Sequence, residues 1–130
     1  MCNMDELIEA AKEALTQAYA PYSGYPVGAA VEDERGRIHR GCNVENVSFP
    51  AGLCAERVAV GAMVADGGRH VRGLAVVTRD GGTPCGCCLQ VLMEFSDLDK
   101  TKIFLVGSSG SVKTFSLREL LPHGFSSKLV

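Results

Sequence analysis

The 130-residue chain lacks the basic excess of a protein built to neutralise phosphates: 13 Lys and Arg stand against 15 Asp and Glu, a formal charge of −2. That balance argues against a dedicated DNA- or RNA-binding role. No apolar run approaches the ~20 residues of a membrane span. The opening Met1-Cys2-Asn3-Met4-Asp5-Glu6 has neither the basic nor the apolar region of a signal peptide. The expectation is therefore a cytoplasmic protein with no membrane partner and no nucleic-acid partner, whose thiols stay reduced. Internal repeats, low-complexity tracts and long linkers are also missing, so residues 1–130 are read as one domain.

What is present suits a packed core. Apolar residues make up 46% of the chain and charged residues 22%, which excludes a disordered chain or a coiled coil. Asn3 and Glu6 have the spacing of a helix capping box. Leu7, Ile8, Ala11, Ala14, Leu15, Ala18 and Tyr19 then recur at helical spacing, up to a stop at Pro21. Residues 27–32 and 37–42 read as a hairpin around Asp33-Glu34-Arg35-Gly36. A second helix is expected from Cys54 or Ala55 to just before Gly67. An apolar strand at 73–78 and a third helix from Cys85 to about Phe95 follow. Strands at 102–106 and 112–115 precede a short helix opened by a Ser116/Glu119 capping box and ended by Pro122. The order αββαβαββα predicts an α/β fold, three layers α/β/α around one mixed five-stranded sheet.

Six cysteines in a reduced protein need a use other than disulfides, and three of them crowd into Cys85-Gly86-Cys87-Cys88. Cys85 and Cys88 form a C-x-x-C pair able to chelate zinc from one helical turn, and Cys54 would bring a third sulfur from another helix. Both groups fall at expected helix N-termini, where free N–H groups favour thiolates. Three protein ligands leave the fourth tetrahedral position open to water, the arrangement of a catalytic rather than a structural site. Glu56, two residues beyond Cys54, converges on the same metal only if Cys54 is a helix cap; there its carboxylate would accept a proton from water. The spacing alone leaves open a closed structural site, with a fourth thiolate from Cys42 or Cys87, and ordinary free core cysteines.

Cys54-Ala55-Glu56 followed by Pro84-Cys85-Gly86-Cys87-Cys88 resembles the zinc-dependent cytidine deaminase family, in its short homotetrameric branch. The resemblance runs from Ala20-Pro21-Tyr22-Ser23 to Phe125-Ser126-Ser127, through Gly41-Cys42-Asn43-Val44-Glu45-Asn46 and Leu120-Leu121-Pro122. It implies one zinc per chain on Cys54, Cys85 and Cys88, with activated water attacking C4 of a cytosine ring. It implies that Glu56 takes the water's proton, passes it to N3 and then protonates the departing amine. The implied substrates are cytidine and deoxycytidine, giving uridine and deoxyuridine with release of ammonia, as in pyrimidine salvage. The backbone at Ala55 and Cys85 would position the base.

Asn43 and Glu45, two apart beyond a strand, share a face if the chain stays extended, and an amide beside a carboxylate suits a hydroxyl. The same pair also suits a polar turn held by local hydrogen bonds. The resemblance favours recognition of the ribose 3′-hydroxyl. It also places Tyr25, where the family usually has Phe, beside the pyrimidine, Phe49 where a Tyr is frequent, and Phe125 in a neighbouring subunit's site. A homotetramer with shared active sites is implied with it. The family commonly carries an arginine where this chain has Leu89, so Arg57 is left to offset the excess charge of three thiolates on one zinc. His39, His70 and His123 fall outside the metal segments and read as surface or interface residues. The alternatives are a deaminase of another cytosine compound, such as blasticidin S or an N4-modified cytidine, and a zinc-stabilised structural or RNA-binding protein. Glu56 opposes the structural alternative, since a purely structural metal has no use for it.

Overall fold

The computed structural model describes residues 3–126; Cys2, and Ser127 of the C-terminal run, lie outside them. The elements follow in the order α1 (Met4–Leu15), β1 (Gly28–Asp33), β2 (Ile38–Cys42), a 3-10 turn (Phe49–Ala51), α2 (Ala55–Ala65), β3 (Val71–Val77), α3 (Gly86–Glu94), β4 (Lys102–Val106), β5 (Val112–Ser116) and α4 (Leu117–Leu120). The expected α/β order is thus observed, with the 3-10 turn as an addition. The five strands form one sheet in the order β2-β1-β3-β4-β5. It is mixed: β3 and β4 run parallel, and the other neighbouring pairs run antiparallel.

Strand alternation divides the core in two. Ala29, Val31, Leu74, Val76, Ile103 and Leu105 face α2, α3 and α4. Ala30, Ala75, Val77, Phe104 and Val106 face α1, which covers them with Leu7, Ile8 and Ala11. The central strands are therefore apolar on both faces, and the layers stack α/β/α. Two glycines set how closely the helices approach. A Cβ on Gly28 would collide with the backbone of Ala11 and Leu15, and one on Gly41 would collide with Ala55 O and Ala59 N. The first turn of α2 thus lies directly on β2, which fixes the height of Ala55 and Glu56 above the sheet.

Two boundaries and one cap differ from the sequence pattern. Helix α1 ends at Leu15 although apolar spacing continues to Tyr19. The Tyr19 N–H donates to Asn43 O at 2.9 Å and its carbonyl accepts from Glu45 N–H at 2.8 Å, so pairing with a distant segment outweighs the local helical preference. Strand β3 starts at Val71, two residues early, because the Val71 N–H finds the Phe95 carbonyl at 2.7 Å. The capping box at Asn3 is half made: Asn3 Oδ1 accepts from Glu6 N–H at 3.2 Å, but the Asn3 N–H turns to the buried Glu32 carboxylate instead. The box at Ser116 and Glu119 forms completely. No helix among the described residues is long and apolar enough to cross a membrane.

Candidate active site

Helices α2 and α3 present their N-termini to one cavity, and a cysteine stands at the cap of each. Cys54 caps α2 in an extended conformation (φ −75°, ψ 151°), and Cys85 caps α3 likewise (φ −70°, ψ 164°). The Cys88 N–H in the first turn of α3 donates to Cys85 Sγ at 3.5 Å. The sulfurs of Cys54, Cys85 and Cys88 lie within 4.8 Å of one another. Sulfurs sharing one tetrahedral zinc at ~2.3 Å stand about 3.8 Å apart, so the trio fits that ion with small adjustment. Cys42 and Cys87 do not join the group among the described residues; Cys87 is exposed.

The extended cap also resolves the direction of Glu56. Because Cys54 is not yet helical, Glu56 at the second helical position turns toward the same cavity that Cys54 lines. The Glu56 side chain is buried, and burial raises its carboxyl above the usual range, opposed only in part by its own N–H and the Arg57 charge. Burial pushes the Cys54 and Cys88 thiols up as well. At Cys85 burial acts in the same direction, but the Cys88 N–H and the neighbouring thiols outweigh it and lower the thiol. Arg57 donates to Gly52 O at 3.1 Å through one terminal nitrogen, while its buried Nε has no partner among the described residues. Burial would lower this guanidinium; the charges of the Cys87, Cys54 and Cys88 sulfurs raise it instead. An orphaned cationic N–H beside three thiols is what a site loaded with thiolates would satisfy.

The cavity holds about 750 Å³, room for a nucleoside-sized molecule. Tyr25, Asn43, Glu45, Ala55 and Glu56 line it together with Cys54 and Cys85. Asn43 and Glu45 do face the same space, yet both also build its wall. Asn43 Oδ1 accepts from Val27 N–H at 2.9 Å, and its Nδ2 donates to Tyr25 O at 2.9 Å. Glu45 accepts from the Tyr22 and Ser23 N–H groups at 2.9 and 3.0 Å and from the Ser23 hydroxyl. One amide hydrogen of Asn43 and part of the Glu45 lone-pair capacity remain for a ligand. The polar-turn reading and the recognition reading thus describe the same two side chains.

Two expected residues stand apart from the cavity. Leu89 is 6% exposed and belongs to the core cluster with Leu92 and Leu117. Phe125 is 80% exposed and does not line its own chain's cavity; its backbone is held by Gln90. Phe49, at the rim, meets Tyr22 edge to face at 6.0 Å. Of the histidines, His39 departs from the surface reading: its side chain is 9% exposed and bonds the buried Asp33 at 2.8 Å. Residues the motifs did not reveal include Thr78 and Gly82 on the cavity wall and Asp80 behind it. Only Gly81-Gly82 hinted at a tight turn there.

A mixed α/β/α sheet that brings three thiols and a buried carboxylate to two helix N-termini, open on the cavity side, defines a zinc-dependent hydrolytic site. Comparison with known proteins agrees. The profile of the cytidine and deoxycytidylate deaminase zinc-binding region matches residues 1–105. A cytidine deaminase of Sporosarcina psychrophila is 41% identical over 126 residues, 95% of this chain and 92% of its own. One of Halalkalibacterium halodurans is 40% identical over 94% of this chain and 93% of its own. The crystal structure of cytidine deaminase from Burkholderia pseudomallei superposes with a TM-score of 0.89 at 40% identity, covering 95% of this chain and all of that one. The chain therefore belongs to the cytidine and deoxycytidylate deaminase family.

Proposed function

We propose that this protein hydrolyses cytidine and deoxycytidine to uridine and deoxyuridine, releasing ammonia. The observation that carries the reading is the buried Glu56 carboxyl beside the Cys54, Cys85 and Cys88 sulfurs on a nucleoside-sized cavity. Cys54, Cys85 and Cys88 would hold a zinc ion, which would supply the Lewis acidity that makes water a nucleophile near neutral pH. Glu56 takes one proton from the attacking water and delivers it to N3 of the ring. It then takes the second from the hydroxyl now on C4 and delivers it to the amine, so that ammonia leaves as the C4 carbonyl forms. Its burial excludes bulk water, so the proton stays on the reacting atoms. The Ala55 and Cys85 backbone and the Tyr25 ring orient the base, and Asn43 and Glu45 hold a sugar hydroxyl. Arg57 offsets the thiolate charge.

The lining favours a nucleoside over a nucleotide. Among the described residues Arg57 is the only cation that lines the cavity, and it interacts with the sulfurs, whereas Glu45 stands among the sugar-facing groups. A 5′-phosphate would find repulsion there and no partner.

Self-association as a homotetramer with shared sites belongs to the same proposal. Tyr19, Val44 and Leu53 pair in isolated bridges, and with Tyr22 and Phe49 they form an exposed apolar rim around the cavity. Phe125 is a further exposed ring, suited to close the site of a second copy. Residues 1–130 act as one domain, and the open thiol site calls for the reducing cytoplasm.

The test is a substrate panel followed by the ultraviolet change from cytosine to uracil, with zinc measured on the same sample. The panel holds cytidine, deoxycytidine, their 5′-phosphates, N4-modified cytidines and single-stranded RNA. Turnover of the two free nucleosides at one zinc per chain is expected. A zinc-loaded protein inert toward both would overturn the assignment.

A further inference from the structure

The loop between β3 and α3 delivers Cys85 to the site, and one carboxylate organises it. Asp80 Oδ1 accepts from the Tyr25 hydroxyl at 2.5 Å, the Thr78 hydroxyl at 3.2 Å and the Gly82 N–H at 3.1 Å. Thr78 Oγ1 in turn accepts from the N–H groups of Gly81 at 2.7 Å and Gly82 at 3.2 Å. The Arg79 guanidinium lies over the Tyr25 ring, 4.8 Å from its centre. On the far side Asp80 pairs with Gly107 in an isolated bridge, and the Ser108 hydroxyl donates to Arg79 O at 2.8 Å.

These bonds join two cavity walls that are distant in the chain. Tyr25 belongs to the segment leading into β1, and Asp80 to the turn just after β3. Tyr25, Thr78, Gly82, Thr83 and Cys85 all line the cavity, so anything that moves this turn moves both the wall and the sulfur. A hydroxyl donating to a carboxylate is among the stronger hydrogen bonds in a protein. The Tyr25 bond is the foremost reason that Asp80 stays below the usual carboxylate range, which keeps it an ionised acceptor.

We infer that Tyr25 and Asp80 form a latch, in which the hydroxyl-to-carboxylate bond fixes residues 78–85 so that Cys85 is presented to the Cys54 and Cys88 sulfurs. Both act as positioning residues through the loop. The Tyr25 ring lines the cavity independently of its hydroxyl, so Tyr25→Phe removes the latch and keeps the wall. The inference rests on the zinc reading given under the proposed function, and its test separates the two.

The proteins to compare are the zinc-loaded wild type, Tyr25→Phe, Asp80→Ala, Asp80→Asn and the double variant Tyr25→Phe/Asp80→Ala. The first measurement is the rate at which zinc passes to a chromophoric chelator. The second is kcat and KM for cytidine. Tyr25→Phe should release zinc about three- to tenfold faster, the loss expected for one net hydrogen bond, and Asp80→Ala at least as much, because it also drops the Thr78 and Gly82 bonds. KM should rise by a similar factor while kcat stays within about twofold, because the proton-transfer group is untouched. The double variant should be no worse than Asp80→Ala alone, since the partners share one interaction. Asp80→Asn should fall between the wild type and Asp80→Ala, because its amide oxygen still accepts from Tyr25 but without the charge that strengthens the bond.

Wild-type zinc release from Tyr25→Phe, or effects that simply add in the double variant, would overturn the latch. Should Asp80→Ala fail to fold, Tyr25→Phe decides alone, since it deletes one oxygen and leaves the ring. A wild type that holds zinc but leaves cytidine unchanged would defeat the deaminase reading, and the chelator measurement would still report on the latch.

Discussion

Gln90 holds Phe125 by both of that residue's backbone polar groups: the Phe125 N–H donates to Gln90 Oε1 at 3.0 Å, and Gln90 Nε2 donates to Phe125 O at 2.7 Å. The clamp ties the C-terminal segment to α3, the helix whose first turn carries Cys88. It fixes the backbone and leaves the ring outside, exposed among the described residues. If it covers the base in a neighbouring site, Phe125→Ala should raise KM about five- to 150-fold, the range for losing one base-stacking contact of ~1–3 kcal/mol. The melting temperature should hardly change, because an exposed ring contributes little to its own core. Gln90→Ala should show the same KM effect in weaker form. An active monomer by sedimentation, with unchanged KM after Phe125→Ala, would rule out shared sites.

Glu56→Gln tests the proton carrier. The amide has the same shape and cannot accept the water's proton, so kcat should fall by ~10²–10⁴-fold or more. Zinc content should stay at one per chain, because all three sulfurs remain. The variant should also melt no lower than the wild type, since a neutral amide replaces a buried carboxyl whose ionisation burial already opposes. Near-normal turnover at full zinc occupancy would remove Glu56 from the mechanism.

The metal trio and Glu56 were legible because each is a local signal: a short motif at a helix start, where the cap frees the direction of the side chains. The layers were legible too, since apolar runs at β3 and β4 have only one place in an α/β sheet. What escaped the sequence depends on contacts between distant segments. Tyr25 and Asp80 stand 55 residues apart, and no periodicity links a hydroxyl to that carboxylate. The end of α1 was hidden for the same reason, because Tyr19 leaves the helix to pair with Asn43 and Glu45. His39 alternates outward by strand pattern, yet it turns onto Asp33, whose burial is invisible in a polar hairpin.

That hairpin gives the protein an acid-sensitive element. Asp33 is fully buried and accepts from His39 Nε2 at 2.8 Å, Arg35 at 2.7 Å, and the Arg35 and Arg37 N–H groups at 2.8 and 3.0 Å. Burial alone would raise its carboxyl; His39, Arg35 and the two N–H groups outweigh it and hold the carboxyl far below the usual range. A lowered folded-state value means the stabilisation is complete above the unfolded value near pH 4 and fades as the pH falls toward the folded value. Asp33→Asn should therefore cost about 1–3 kcal/mol at pH 7. The gap to the wild type should narrow below about pH 4. Denaturant unfolding of both proteins at pH 7 and pH 3 measures it, and a gap independent of pH would sink the account.

Leu89 separates two explanations for the missing arginine. If a second cation were needed to balance the thiolates, Leu89→Arg would improve the site and lower the pH at which the rate begins to rise. The structure supports the other account. Leu89 is 6% exposed in the cluster with Leu92 and Leu117, while the Arg57 guanidinium interacts with the Cys54 and Cys88 sulfurs. An arginine at position 89 would have to bury its guanidinium among apolar side chains or force α3 off the sheet, either of which costs several kcal/mol. For a chain of this size that corresponds to a melting temperature lower by about 10 °C. Leu89→Met, which conserves volume and polarity, should cost less than about 1.5 kcal/mol and keep full activity. Melting curves and pH–rate profiles on the two variants and the wild type distinguish the explanations. A Leu89→Arg protein as stable as the wild type, with its rate profile moved to lower pH, would show that charge and not packing governs this position.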